Sequence, residues 1–319
     1  MIGFFIFQAL AQLPSATARL FTVVNACPFT IWPAMYTDLS VAQSVPPFPT
    51  GWESPPTTSV QFGVPDNWKA GRIWGRRDCN FSTNIGPSAC LDGGCNGGLL
   101  CDPQSGTGVP PATVAEWTLQ GDGNRDFYDV SLVDGYNLPM AIIPSAPNCS
   151  VASCPVDLGP ACPAPLVGPI DQTGFPVGCK SACVANLDNS ADSSNCCTGT
   201  HNTAATCPPS GVDFYSYFKS NCPNSYVYAY DESSGTALWS CDSSLNSDYT
   251  LTFCPCGSSL SPLHSLLPSS TFRTQTCGWE PGAGADLRRP VFADPDRDSF
   301  RARRLRYARS ALCVLLLYC

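Results

Sequence analysis

Sixteen of the 20 cysteines lie between Cys27 and Cys254, and two of them, Cys196 and Cys197, are adjacent. This density belongs to chains made in an oxidising compartment, where bridges supplement the hydrophobic core. An even number lets every sulfur pair, which gives eight bridges. Neighbouring cysteines rarely bond each other, so Cys196 and Cys197 send the chain to two different partners. Metal binding fits poorly. Cys79, Cys90, Cys95 and Cys101 lack the close pairs of a zinc site, and the histidines are His201 and His264 alone. A catalytic thiol fits no better, because an oxidised framework has already used its sulfurs. No metal and no cofactor are expected.

Charge divides the 319 residues unevenly. Residues 1–256 hold 8 Lys+Arg against 20 Asp+Glu, near −12, and residues 257–319 hold 9 Arg against 5 Asp+Glu, near +4. An acidic body argues against a nucleic-acid partner, which needs basic surface. It suits a neutral partner, or a cleft that uses carboxylates.

Residues 1–18 read as a signal peptide: Ile2 to Leu13 is mostly apolar and too short to span a bilayer, and Ala16-Thr17-Ala18 fits small-x-small cleavage. Two sequons, Asn80-Phe81-Ser82 and Asn148-Cys149-Ser150, accord with secretion to the cell exterior or wall. Beyond Gly257 the sequence turns to Ser, Pro and Arg without periodic apolar partners. Residues 257–319 read as a disordered or atypical basic extension, in preference to a membrane-surface segment or a lipid-anchor signal. Cys256, Cys277, Cys313 and Cys319 then have no expected partner.

Residues 19–256 form one domain, expected as a monomer. Short alternating runs recur at 20–24, 30–33, 60–62, 72–75, 115–119, 127–133, 225–229 and 249–253, punctuated by Pro and Gly. Many short strands at this spacing predict a mainly β sandwich or barrel. Two excursions interrupt it. Residues 79–112 are rich in Gly and Cys and predict a disulfide-clamped loop module. Residues 149–222 hold nine cysteines and one short helix over 213–220, with Asp213 as its start signal.

The hairpin at 113–133 is the candidate for the chemistry; the alternative is that its acids stand on a solvated sheet face. Two strand-like runs flank Gln120-Gly121-Asp122-Gly123-Asn124, and centring the turn between Asp122 and Gly123 sets Glu116 opposite Asp129. Like charges directly opposite are unfavourable. Two close carboxylates push their pKa values apart, leaving one as proton donor and one as anion. Asp134 lies five residues beyond Asp129, so it reaches the same cleft only if the chain bends between them.

The run Thr22-Val23-Val24-Asn25-Ala26-Cys27-Pro28-Phe29-Thr30-Ile31-Trp32-Pro33-Ala34 resembles the opening of thaumatin-like proteins. So do Gly71-Arg72-Ile73-Trp74-Gly75-Arg76, Val114-Ala115-Glu116-Trp117, the run from Phe127 to Met140, and the closing Tyr249-Thr250-Leu251-Thr252-Phe253-Cys254-Pro255. The resemblance covers residues 19–256 and all sixteen cysteines. It implies a flattened β-sandwich with two disulfide-rich lobes. It also implies the bridges Cys27–Cys254, Cys79–Cys90, Cys95–Cys101, Cys149–Cys241, Cys154–Cys222, Cys162–Cys179, Cys183–Cys196 and Cys197–Cys207. The chain departs from the family pattern at Leu91-Asp92-Gly93-Gly94-Cys95, where the acid is displaced from its usual place beside the cysteine.

The resemblance further implies an acidic cleft built from Arg72, Glu116, Asp129, Asp134 and Asp231. Asp231 is followed by a second acid, Glu232. The implied activity is binding and hydrolysis of β-1,3-glucan in defence or cell-wall remodelling. Glu116 is expected as general acid, its pKa raised by Asp129 and burial, and Asp134 as nucleophile or general base. Arg72 orients a carboxylate, and Asp129 and Asp231 bind sugar hydroxyls. The carboxyl separation decides between retention and inversion. Trp74, Trp117 and Tyr128 are candidate faces for sugar rings, or core residues. The alternative is a non-catalytic defence protein that binds glucan or a membrane.

Overall fold

The computed structural model describes residues 18–255; the expected signal peptide, apart from Ala18, and Cys256 with the expected basic extension and its three cysteines lie outside the described residues. Ten strands form two five-stranded sheets among the described residues. The first sheet contains β1 (Ala18–Asn25), β3 (Ser59–Pro65), β7 (Met140–Pro144), β8 (Ala152–Cys154) and β10 (Tyr249–Phe253), in the order β3-β1-β10-β7-β8. The second contains β2 (Ala34–Thr37), β4 (Gly71–Trp74), β5 (Val114–Gly121), β6 (Arg125–Ser131) and β9 (Trp239–Asp242), in the order β2-β4-β5-β6-β9. The first and last strands, β1 and β10, lie side by side in parallel, and every other pairing is antiparallel.

Alternation along the strands explains how the sheets pack. Trp117 and Tyr128 are cross-strand partners on β5 and β6, and both face inward. Trp117 meets Phe21 at 5.1 Å and stacks on Trp68 at 6.1 Å, while Tyr128 meets Tyr249 at 5.3 Å. These rings form the centre of the core. Trp74 is also buried, its indole N–H donating to the Gly93 carbonyl at 2.7 Å. All three aromatics suggested as sugar platforms are therefore core residues, 0–1% exposed.

The structure closes the eight bridges named above, each between the pair that the resemblance implies. Residues 79–112 contain one 3-10 turn, Pro87–Ala89, and no strand. This lobe is fastened by Arg76, whose buried guanidinium donates to the carbonyls of Gly98, Leu99 and Pro33. Burial pushes the Arg76 pKa down to about 10.

Several expected elements differ. The run 30–33 forms only an isolated bridge, Ile31 to Ser54. Pro33 has no N–H to donate, and the strand starts one residue later. The run 225–229 forms a parallel bridge from Tyr226 to Ser131 and then turns. The helix α1 spans Tyr215–Asn221, entered through left-handed Phe214 at φ 59. Asp213 does not cap it; its carboxylate accepts from Asn195 instead, at 3.1 Å.

The displaced acid Asp92 is 3% exposed. Its Oδ1 accepts from the Arg77 N–H and from Asn137 Nδ2, both at 3.0 Å, and its Oδ2 has no partner. Burial pushes its pKa up to about 7, against the pull of Asn137 and Arg77. Between the ordinary value of 3.8 and about 7, the folded state holds a proton that the unfolded chain releases. Stability therefore falls as pH rises through that window, by at most about 1.4 kcal/mol per pH unit. Asp92→Asn is expected to remove this part of the slope. Denaturant melts of parent and variant across the window check it, and equal slopes would clear Asp92 of the effect.

Candidate functional site: an acidic row across the second sheet

Glu116 and Asp129 stand opposite each other, as the turn position predicts. Arg72 stands opposite Glu116 on the other side, and Tyr36 opposite Arg72. Direct cross-strand partners share a face, so Tyr36, Arg72, Glu116 and Asp129 form one row across β2, β4, β5 and β6. Their neighbours Trp117 and Tyr128 point into the core, so alternation sends the row to the outer face.

The strand β6 ends at Ser131, and the chain turns. The Gly135 N–H donates to the Leu132 carbonyl at 2.9 Å. Gly135 has φ +87, and a Cβ there would lie 2.9 Å from the Cys179 carbonyl oxygen, so both backbone conformation and space call for glycine. This bend returns Asp134 to the row. The Arg72 guanidinium then lies between two carboxylates, with Nη2 at 2.8 Å from Glu116 Oε1 and Nη1 at 3.7 Å from Asp134 Oδ2. The side chains of Glu116 and Asp134 are 20% and 30% exposed, so solvent reaches both.

The three acids differ in environment. Asp129 is 2% exposed, and its Oδ1 has no hydrogen-bond partner. Burial and the charge of Glu116 hold its pKa well above the ordinary carboxylate range. Of the three acids, Asp129 is the most strongly shifted toward its protonated form. Burial also raises the Glu116 pKa, Arg72 opposes that rise, and Asp134 adds to it. Asp134 is raised by burial and drawn back by Arg72. Glu116 and Asp129 repel each other across the strand pair, and Asp134 adds its own charge to the rise at Glu116.

Asp231 does not serve as expected. It is 1% exposed, and both oxygens are engaged. Oδ1 accepts from the Tyr215 hydroxyl at 2.8 Å; Oδ2 accepts from Lys219 Nζ at 2.9 Å and from the Val227 N–H at 3.0 Å. A carboxylate held this way fixes α1 to the segment after it and has no oxygen for a sugar hydroxyl. The next residue, Glu232, is partly exposed and faces the hydroxyl of Tyr226, and its charge is felt at Asp129. The sequence reading noted Glu232 only as the acid that follows Asp231 and gave Tyr226 no role; the pair of adjacent acids was the signal. Among the described residues, no group of three or more His, Cys, Asp or Glu is placed to hold a metal ion.

The thaumatin family model matches residues 25–255. The chain belongs to the thaumatin family. It is 42% identical over 239 residues to pathogenesis-related protein 5 of Arabidopsis thaliana, covering 74% of this chain and 90% of the relative. It is 41% identical over 242 residues to pathogenesis-related thaumatin-like protein 3.5 of Cryptomeria japonica, covering 75% and 91%. A protein of Prunus avium named glucan endo-1,3-beta-glucosidase is 37% identical over 243 residues, covering 75% and 92%. Bridges in such number are consistent with a secreted thaumatin-like protein.

Proposed function

We propose that this thaumatin-like protein is secreted after loss of residues 1–18, acts as a monomer in defence or wall remodelling, and binds and hydrolyses β-1,3-glucan in its acidic cleft. The observation that carries the reading is Arg72 held between Glu116 and Asp134, both open to solvent. Two carboxyl groups of unequal environment are what glycoside hydrolysis requires. The name of the Prunus avium relative supports the substrate class.

Glu116 is the general acid, since its pKa is raised and it is accessible. Asp134 is the nucleophile or general base. Asp129, buried behind Glu116, shapes that side of the cleft from beneath, with its Oδ1 closed to solvent. Arg72 steadies the anion left on Glu116 once its proton has passed to the glycosidic oxygen. An acidic surface does not suit a nucleic-acid partner.

One observation favours binding without turnover. The 2.8 Å bond from Arg72 stabilises ionised Glu116, and an ionised acid cannot protonate a leaving group. Glu116→Gln separates the two readings. With hydrolysis, sugar release from β-1,3-glucan falls at least about 100-fold, as expected for loss of a general acid, while pull-down on insoluble glucan persists. Binding with no release by parent or variant would leave a glucan-binding protein. No binding by either would end the glucan reading.

A further inference from the structure

We infer that Asn80 is an N-glycosylation site, occupied by an oligosaccharide on the secreted protein. The inference rests on the proposed secretion and is independent of what the cleft does. Asn80 and Ser82 are exposed, beside the Cys79–Cys90 bridge of the first disulfide lobe. The Ser82 hydroxyl donates to Asn80 Oδ1 at 2.6 Å, and the Ser82 N–H donates to the same oxygen at 3.1 Å. This turn engages the carboxamide oxygen and leaves Nδ2 facing outward with no hydrogen bond among the described residues. Phe81 anchors the turn from beneath: Arg76 lies 5.2 Å over its ring, and Trp32 meets it edge-on at 6.4 Å.

The acceptor geometry is made by local contacts. The Asn80 N–H donates to the Ala89 carbonyl at 2.6 Å, and Cys79–Cys90 closes the loop over a separation of 11 residues. Closing so short a loop needs none of the later chain. The turn is therefore available both to a nascent chain and to the finished fold. The second sequon is built otherwise. Cys149 is buried and bridged to Cys241, 92 residues on, and the Ser150 carbonyl accepts from the Tyr128 hydroxyl. Among the described residues no hydrogen bond joins Asn148 to Ser150.

In the transfer, Asn80 Nδ2 forms a bond to C1 of the first N-acetylglucosamine of a polyprenyl-diphosphate-linked oligosaccharide. The C1–oxygen bond to the diphosphate breaks. The polyprenyl diphosphate leaves with the bonding electrons, and the amide proton passes to base. The attached sugar lies on the loop that carries Ile85, 73% exposed, and screens it.

The test expresses the full chain in plant cells and maps both asparagines on the recovered protein by mass spectrometry. Digestion with a peptide N-glycosidase in heavy-oxygen water marks each released site as heavy Asp. The expected result is a labelled residue 80 and a single downward gel shift on digestion. Ser82→Ala is expected to migrate like the digested parent and Ser82→Thr like the untreated parent. A secreted chain with bare Asn80 overturns the inference, whether or not Asn148 carries sugar. A chain retained in the cytosol with both sites bare overturns it together with the secretion reading. Loss of glucan binding or sugar release leaves it standing.

Discussion

Replacing Cys27 and Cys254 by Ala is expected to lower the unfolding free energy by about 4–5 kcal/mol and the melting temperature by about 10–20 °C. The bridge joins residues 227 apart. Seven other bridges also restrain the unfolded chain. Cys149–Cys241, with separation 92, already shortens the path between the two ends. Removing those 92 residues from 227 leaves about 135. Loop entropy depends on the logarithm of length, so this shortcut takes off only a few tenths of a kcal/mol. In the folded state both sulfurs lie in the core beside the parallel β1–β10 seam, and the substitution adds a small cavity cost. The control is the double Ala variant of Cys95–Cys101, separation 6, for which the same argument gives about 2 kcal/mol. Denaturant melts of parent and both variants check the ordering. Equal losses would show that native-state contacts, rather than chain entropy, set the value of these bridges.

The part of the site read correctly from sequence was the part fixed by local rules. The turn at Asp122-Gly123 set the hairpin register, and period-two alternation then fixed which residues share a face. The register is 116 to 129 even though the ladder shifts between Thr118 and Gly121. That bulge lies toward the turn, past the acids, and leaves their pairing alone. What sequence could not supply was tertiary. Met140–Pro144 is buried along nearly its whole length, so it shows no alternation to read. Trp239–Asp242 is a short edge strand whose identity comes from pairing with β6. Asp231 and Glu232 are neighbours of similar chemistry. Only the placement of Lys219 and Tyr215 on α1 decides that the first is a buried tie and leaves the second partly exposed near Asp129. Asp92 likewise gave no sign of burial, because the Arg77 and Asn137 that hold it arrive from elsewhere in the chain.

The contacts of Arg72 with Glu116 and Asp134 give it a role in stability. Arg72→Leu is expected to destabilise the protein by about 1–3 kcal/mol at neutral pH, between the cost of breaking a buried ion pair and that of an exposed one. The Arg72 side chain is 11% exposed, and the solvent that reaches Glu116 and Asp134 screens their charges in part. The loss has a definite pH dependence. Burial raises the pKa of both Glu116 and Asp134, and Arg72 is the group that opposes the rise. Without it both values climb further, and the folded state retains protons that the unfolded chain gives up from about pH 4 upward. The variant's stability therefore falls relative to the parent as pH rises, and the two converge in acid, where the carboxyl groups are neutral in both states. Adding Glu116→Gln to Arg72→Leu is expected to recover part of the loss, because one of the stranded charges is gone. Denaturant melts of the single and double variants at several pH values measure all three effects. A penalty that stays constant with pH, and that Glu116→Gln does not relieve, would mean that Arg72 supports the sheet by packing its stem rather than by its charge. In that case the proposed function would also lose its electrostatic argument for pairing Glu116 with Asp134.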